Sequence, residues 1–159
     1  MPVKPIPDGY RSVTPYLALR QAADAIEFYK RAFGAKERLR LTAPGGKVGH
    51  AELEIGDSVV MVADEHPEMD FRSPDHYGGS PVSLHLYVKD VDASFRRATE
   101  AGAKPLRPVQ NQFYGDRSGS IRDPFGHVWH LATHKEDVSP EEIDKRAQAM
   151  FRKEQGQKA

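Results

Sequence analysis

Histidine, glutamate and tyrosine alternate with apolar residues in three short segments that have the composition of β-strands. His50 and Glu52 are two residues apart in the first segment, His85 and Tyr87 in the second, and His130 lies in the third. Successive side chains of a strand point to opposite faces, so residues two apart share a face. Imidazole and carboxylate groups on one face could move a proton, orient a polar ligand or bind a divalent ion.

The simplest function for these groups is to bind a ligand, with aromatic rings added from neighbouring segments. We predict a ligand site formed by Tyr16, His50, Glu52, His85, Tyr87, Phe113, Arg117 and His130. The tyrosine and phenylalanine rings would stack on the ligand, and the guanidinium of Arg117 would bind a carboxylate or phosphate through its forked donors. Arg117 has an alternative as an ion-pair partner of Asp116 or Asp123. The whole set has an alternative as a polar network that binds no ligand.

Two catalytic alternatives use the same residues. Glu52 is the candidate general base, because a carboxylate near an imidazole can accept a proton at neutral pH when burial tunes its pKa. A divalent ion could be held by three imidazoles and a carboxylate, at His50, Glu52, His85 and His130, if their tips converge. Spacing along separate strands does not establish that convergence, so both alternatives stay open.

The overall composition narrows the possible partners. The chain has 159 residues, 23 basic and 23 acidic side chains, and no cysteine. Balanced charge gives no extended field that would attract nucleic acid or an anionic membrane, and without cysteine there are no disulfides, thiolate metal sites or cysteine nucleophiles. No apolar run is long enough to span a membrane, and the N-terminus lacks the apolar core of a signal peptide. We therefore expect a cytoplasmic protein whose partner is a small molecule.

An internal repeat organises the elements that must position these groups. Residues 24–36 recur as residues 92–104 with an offset of 68, and five of the thirteen positions are identical. Each copy has an alternating run before it and short strand-like runs after it. The repeat therefore predicts two modules with the order strand–helix–strand–strand–strand, at residues 10–64 and 82–134. The linker between them, residues 65–81, is long enough to cover a site.

Apolar residues at helical spacing place one helix in each module, over residues 22–33 and 91–101. A further helix begins at Ser139, because Ser139-Pro140-Glu141-Glu142 has the spacing of a capping box. Its narrow apolar stripe could pack on its own domain or contact a second copy of the chain. We place residues 1–137 in one domain and residues 138–159 in a C-terminal helix and tail.

Alternate residues of the predicted strands point to two faces that differ in character. One face is large and apolar and should pack on the helices: Leu17, Leu19, Leu53, Ile55, Val60, Val62, Leu84, Leu86, Val88, Trp129 and Leu131. The other face is polar and aromatic, and it carries the histidines, tyrosines and glutamate of the predicted site. A face exposed only to solvent would carry more lysine, arginine and threonine, so a sheet curled around a ligand explains the pattern better.

These features resemble the vicinal oxygen chelate superfamily, also called the glyoxalase/bleomycin resistance protein/dioxygenase superfamily. The resemblance covers about residues 10–137 and rests on the paired modules, on Ala25-Ile26-Glu27-Phe28-Tyr29-Lys30 and on Asp123-Pro124-Phe125-Gly126-His127. The runs His50-Ala51-Glu52-Leu53 and Gly115-Asp116-Arg117-Ser118-Gly119 are similar to the PhnB-like branch. The resemblance implies an α+β fold, in which two βαβββ modules form a curled mixed sheet around a cup, and a homodimer. In this sequence, we expect the C-terminal helix to follow the two modules of that fold.

The metal-dependent members of this superfamily place four ligands in the cup, on the first and fourth strands of both modules. The resemblance carries these positions to Thr14, Met61, Ser83 and His130. Hydroxyl and thioether groups bind divalent ions poorly, and one histidine cannot hold an ion alone. We therefore expect a protein that binds a small polar or aromatic molecule without a metal ion or other cofactor. The alternative is a lyase or dioxygenase of the glyoxalase type that holds a divalent ion at the relocated site.

Overall fold

Two four-stranded sheets and four α-helices make up the described part of the chain, residues 2–157 of a computed structural model. The first sheet contains β1 (Tyr16–Leu19), β2 (Lys36–Thr42), β3 (Val48–Ile55) and β4 (Ser58–Asp64). The second contains β5 (Ser83–Tyr87), β6 (Lys104–Asn111), β7 (Asp116–Arg122) and β8 (Val128–His134). The helices are α1 (Ala22–Phe33), α2 (Pro74–Tyr77), α3 (Val91–Glu100) and α4 (Pro140–Gln157). The predicted α+β fold, with two βαβββ modules and a C-terminal helix, is confirmed. Residue 1 of the predicted domain and residues 158 and 159 of the predicted tail lie outside the described residues.

Both sheets have the same strand order and the same mixture of strand directions. The orders are β1-β4-β3-β2 and β5-β8-β7-β6. In each sheet the first strand runs parallel to the fourth, and the other pairs are antiparallel. Tyr16 lies opposite Met61 in the first sheet, and His85 lies opposite His130 in the second. The second pair follows the first at an offset of 69 on both strands, so the register reproduces the internal repeat.

β1 is shorter than the alternating sequence predicts, because it begins at Tyr16 and the alternation begins at Val13. Pro15 has no N–H to donate to a neighbouring strand. Only its carbonyl reaches β4, where it accepts the N–H of Met61 at 2.9 Å. Thr14 therefore precedes the strand.

The helices begin and end at signals in the sequence. α1 spans its predicted range and ends at Gly34, whose φ of 68° gives the left-handed conformation that closes a helix. α3 begins after Asp90, whose carboxylate accepts the N–H of Ala93 at 3.1 Å. The predicted cap of α4 is present, because Ser139 Oγ accepts the N–H of Glu142 at 3.2 Å.

The apolar faces of both sheets pack against α1 and α3 in one core cluster. α1 joins the modules, because the rings of Tyr29 and Phe33 lie with their centroids 5.4 and 4.7 Å from that of Trp129 on β8. Trp129 is buried, as its strand parity predicts. Burying one side chain of this size contributes about 1.5–3 kcal/mol, so the shared rings bind the two modules into one body.

The segment between the modules, residues 65–81, is ordered by its own hydrogen bonds. Glu65 Oε1 accepts the N–H of Ser73 at 2.8 Å and its hydroxyl at 2.6 Å. His66 and Phe71 exchange backbone hydrogen bonds in an isolated bridge. Pro74 is buried and lies against Gly126, where a Cβ would come within 2.9 Å of the proline ring. The segment is therefore held against both modules.

α4 has 18 residues and no buried side chain. Arg146 attaches it to the rest of the chain, because its guanidinium donates to the carbonyl of Phe113 and to the carboxylate of Glu136. Met150 and Phe151 of its apolar stripe are exposed. Packing within one chain, which is one of the two expectations for this helix, does not bury these side chains. Within residues 2–157, no helix combines the length and the hydropathy that a membrane span requires.

Candidate functional site

Three predicted site residues form a hydrogen-bonded chain on the open face of the first sheet, which is the face turned away from α1 and α3. The hydroxyl of Tyr16 lies 2.9 Å from Nδ1 of His50, and Nε2 of His50 lies 3.5 Å from Oε1 of Glu52. If the hydroxyl donates to Nδ1, the ring carries its proton on Nε2 and donates that proton to the carboxylate. The sequence prediction that His50 and Glu52 share a face with Tyr16 is therefore met by direct contacts.

Tyr10 and Arg38, which the sequence analysis missed, complete this cluster. The Arg38 guanidinium lies over the Tyr10 ring, 5.4 Å from its centroid. The Tyr10 hydroxyl is buried, and no atom of residues 2–157 lies in hydrogen-bonding geometry with it. Tyr10 precedes the first strand, where no periodic pattern identifies its partner.

The environment of Glu52 keeps its carboxylate ionised. The neighbouring Tyr10 hydroxyl lowers the pKa of Glu52 most, and His50 and Arg38 lower it further, while burial opposes them. Burial and the nearby carboxylate in turn raise the pKa of Tyr10. An ionised carboxylate in this position is an acceptor for a hydroxyl, amine or ammonium group.

The segment between the modules contacts the same face through Phe71. Its ring centroid lies 5.0 Å from that of Tyr16, with the two planes tilted by 45°. This contact brings the segment beside Tyr16, and the expectation that it covers a ligand site stays a prediction. Phe71 itself is a further residue that the strand pattern could not identify, since it lies outside every strand.

On the second sheet, His130 is held between two hydroxyls. Its Nδ1 lies 2.7 Å from Ser120 Oγ, and its Nε2 lies 2.9 Å from Ser83 Oγ. Burial lowers the pKa of His130, and the charges of His85 and Arg107 lower it further. The ring is therefore neutral at pH 7, with one nitrogen that donates and one that accepts. The ring of His85 lies 6.2 Å from that of His130.

Tyr87 and His134 share a buried carboxylate at the end of the second sheet. The Tyr87 hydroxyl donates to Oδ2 of Asp116 at 2.8 Å, and Nδ1 of His134 lies 2.7 Å from Oδ1. Nε2 of His134 lies 2.7 Å from the exposed carboxylate of Asp137. Hydrogen bonds to Asp116 and then to Asp137 raise the pKa of His134. The ring of Tyr87 stays exposed and lies 4.8 Å from that of His85.

The structure places Arg117, another predicted ligand-binding residue, away from these clusters. Arg117 lies on the helix side of β7, where Nε and Nη2 bind the Asp92 carboxylate of α3 at 2.8 and 2.9 Å. The prediction that Arg117 lies with the ligand-binding groups is therefore not met. Along β7, the residues before and after Arg117 point to the open face, so Arg117 points to the opposite face. The ion pair offered as its alternative exists, but with Asp92 instead of Asp116 or Asp123. Phe113 lies in the turn before β7, with its carbonyl bound to Arg146 of α4.

The side chains at the four family metal positions do not fit a divalent ion. Thr14 and Ser83 offer neutral hydroxyls and Met61 a thioether, and both nitrogens of His130 already have hydroxyl partners. No three histidine, aspartate or glutamate side chains within residues 2–157 are grouped to hold an ion. The relocated set is divided between the two sheets, with His50 and Glu52 on β3 and the other two histidines on β5 and β8.

Comparison with known proteins gives a family match and several relatives. The family model described as the Glyoxalase/Bleomycin resistance protein/Dioxygenase superfamily matches residues 13–131. The protein Rv0887c of Mycobacterium tuberculosis strain H37Rv is 43% identical over 135 residues, which is 83% of this chain and 79% of that protein. The protein At5g48480 of Arabidopsis thaliana is 30% identical over 129 residues, 77% of each chain.

Solved structures agree with these matches. TioX from Micromonospora sp. ML1 is 29% identical with a TM-score of 0.61, and the match covers 81% of this chain and all of TioX. The PhnB protein from Bacillus cereus is 20% identical with a TM-score of 0.60, and the match covers 77% of this chain and 99% of that one. The second likeness concerns the fold alone.

Proposed function

Since this chain belongs to the glyoxalase/bleomycin resistance protein/dioxygenase superfamily, we propose that it binds a small polar or aromatic molecule on the open faces of its sheets without a metal ion. The observation that carries the proposal is the chain of contacts from the ring of Tyr16 through His50 to the carboxylate of Glu52. It combines an exposed aromatic surface with a fixed acceptor. Neither the aromatic surface nor the acceptor belongs to the hydrophobic core, which lies on the opposite face of the sheet.

The order of these groups suits a ligand with an aromatic ring and a hydrogen-bond donor. The ring of Tyr16 is 46% exposed and touches Phe71, so it offers an aromatic surface at the edge of the cluster. The Glu52 carboxylate would accept a hydroxyl, amine or ammonium group of the ligand. On the second sheet, the exposed rings of His85 and Tyr87 and the neutral ring of His130 add similar surfaces.

Binding fits the electrostatics of Glu52 better than proton transfer does. The groups around it lower its pKa, and a carboxylate with a lowered pKa is a weaker base. A general base that works near pH 7 needs the opposite shift. We therefore propose that Glu52 orients the ligand, and that the catalytic alternative is the less favoured function.

The donor chemistry supports binding without a metal ion. Three of the four family positions carry Thr14, Met61 and Ser83, which are poor ligands for divalent iron, manganese, nickel or zinc. The alternative remains an enzyme of the lyase or dioxygenase type that holds an ion at His50, Glu52, His85 and His130. We also propose that the protein is a cytoplasmic homodimer.

Two measurements test the proposal. Elemental analysis after incubation with iron, manganese, nickel and zinc salts, followed by desalting, should find no retained ion. One ion per chain would instead favour the enzyme with the relocated site. Calorimetric titration with a set of phenols, aromatic amines and aromatic acids should find a ligand with a phenol or amine group.

Variants then locate the bound ligand. His50→Ala, Glu52→Gln and His130→Ala should each weaken its binding at least tenfold without loss of folding. Glu100→Gln, at an exposed position at the end of α3, is the control and should bind like the unchanged protein. Affinity that is unchanged in all three site variants would contradict the proposed site.

A further inference from the structure

A cavity of about 360 Å³ lies between β1, the segment 65–81 and β5. Its wall contains the rings of Tyr16, Phe71 and Tyr77, together with Val82, Arg72 and His127. Tyr16 is the one residue that it shares with the hydrogen-bonded chain to Glu52. The volume is near the lower end of the range for small-molecule sites, which runs from about 300 to 1,000 Å³.

Two large side chains, one aromatic and one apolar, are exposed at the mouth of this cavity. Tyr77 is 62% and Val82 is 67% exposed, and both line the same opening. An exposed apolar patch that borders a cavity marks a place where another molecule binds. Residues 2–157 leave more than half of each of these side chains exposed.

The roof of the cavity is held in place before any ligand binds. Glu65 fixes Ser73 through two hydrogen bonds, and the bridge between His66 and Phe71 sets the position of the Phe71 ring. Pro74 anchors the far end of the segment against the second module. A preformed cavity requires little ordering on binding, which favours affinity.

The polar groups of the wall carry no net charge that would favour a charged ligand. The carboxylate of Asp70 lies 3.9 Å from Nε of Arg72, so the two charges balance each other. His127 donates from Nε2 to the carbonyl of Ala18 at 3.0 Å, which leaves its Nδ1 to accept. A hydroxyl or N–H group on an uncharged ring would satisfy that acceptor.

We propose that this cavity is the aromatic subsite of the ligand site and takes an uncharged planar molecule of one or two fused rings that carries a hydroxyl or N–H group. The inference rests on the proposed function and adds the position and class of the ring. The aromatic walls of Phe71 and Tyr77 supply the preference for a planar ligand. The charges of Arg72 and Asp70 give no net attraction for an acid or an amine.

The test uses 2-naphthol, decahydro-2-naphthol and 2-naphthoate as probes in calorimetric titrations of the full chain. We expect 2-naphthol to bind at least tenfold more tightly than the saturated alcohol and the anion. Tyr77→Ala should weaken 2-naphthol about tenfold. Met69→Ala, which removes an exposed apolar side chain of the same segment outside the cavity wall, is the control and should have no effect. Equal binding of the planar and saturated alcohols would overturn the inference.

The variants separate this inference from the proposed function. If His50→Ala and Glu52→Gln weaken 2-naphthol and Tyr77→Ala does not, the polar site stands and the aromatic subsite is overturned. If Tyr77→Ala alone weakens it, the subsite stands and the polar site is overturned. If 2-naphthol does not bind and Val82→Asp changes the mass of the protein in sedimentation, a second copy of the chain covers the patch, and the inference fails.

Discussion

The hydroxyl of Tyr29 on α1 donates to Oδ2 of Asp123, in the turn before β8, at 2.6 Å. The same carboxylate oxygen accepts the indole N–H of Trp129 at 2.9 Å, and Oδ1 accepts the backbone N–H groups of Phe125 and His127. Asp123 is buried, and every one of its acceptor positions is used. One carboxylate therefore ties the helix of the first module to the last hairpin of the second.

Replacing Tyr29 with phenylalanine should destabilise the fold. The variant removes a hydrogen bond to a buried carboxylate, which contributes about 1.5–3 kcal/mol. Urea denaturation should show a lower free energy of unfolding with an unchanged m-value. Tyr77→Phe, at an exposed tyrosine, is the control and should leave the midpoint unchanged. An unchanged midpoint for Tyr29→Phe would show that the bond adds no stability.

His134 should make stability depend on pH. Its two carboxylate partners raise its pKa in the folded protein. The stabilisation is complete below the unfolded value of about 6.5 and is lost as the pH rises through the higher folded value. Thermal melts of the protein and of His134→Gln should differ most near pH 6 and converge at higher pH. His76→Gln, on the exposed side of the intermodule segment, is the control. A difference that grows with pH would contradict this assignment.

Removing the Tyr10 hydroxyl should raise the pKa of Glu52. That hydroxyl is the largest cause of its lowered pKa, so Tyr10→Phe should bring the value closer to that of an ordinary glutamate. A carbon-13 NMR titration of the glutamate carboxyl groups measures the change. Since a lowered folded pKa stabilises the protein above the unfolded value, Tyr10→Phe should also lose less stability as the pH falls below about 4. Tyr114→Phe serves as the control.

Gly115→Ala should be strongly destabilising. Gly115 has a φ of 105°, and an added Cβ would collide with the carbonyl oxygen of Glu136. Its own carbonyl accepts the N–H groups of Lys135 and Glu136, so the backbone cannot move away without breaking both bonds. The strain and the collision together should lower the free energy of unfolding by about 2 kcal/mol or more. Gly156→Ala, in α4 with open space around it, is the matched control and should not destabilise the protein.

Charge on the exposed stripe of α4 should change the oligomeric state. Met150 and Phe151 are exposed in the single chain, and we propose that a second copy covers them. Met150→Glu with Phe151→Glu should convert a dimer to a monomer in sedimentation at micromolar concentration. Lys153→Glu on the same helix is the control. A monomeric mass for the unchanged protein would overturn the proposed dimer.

The sequence predicts the repeated parts of this fold well, because period and parity act locally. α1 and the two faces of β3 follow directly from the spacing of apolar residues, and the equivalence of Met61 with His130 follows from the repeat. The two glycines of the run from Gly115 to Gly119 are instead explained by the three-dimensional structure. At both glycines a side chain would collide with a neighbouring strand or loop.

The contacts between distant segments could not be predicted in the same way. Tyr10 and Phe71 reach the first sheet from irregular segments, where neither period nor parity says which residue they meet. The chemistry of Arg117 makes it a candidate ligand-binding residue, but its place in β7 decides what it contacts. Its register opposite Thr133 puts it on the helix side, where Asp92 binds it.

The matching registers of the two sheets have a consequence for the two copies of the module. The helix-facing residues of both modules share one core, so a change on that side in either copy affects the stability of the whole chain. The open faces, by contrast, carry different side chains in the two copies. Where one copy has Tyr16 opposite Met61, the other has His85 opposite His130. A repeated module can thus carry different side chains on its two open faces while both copies keep a common interior.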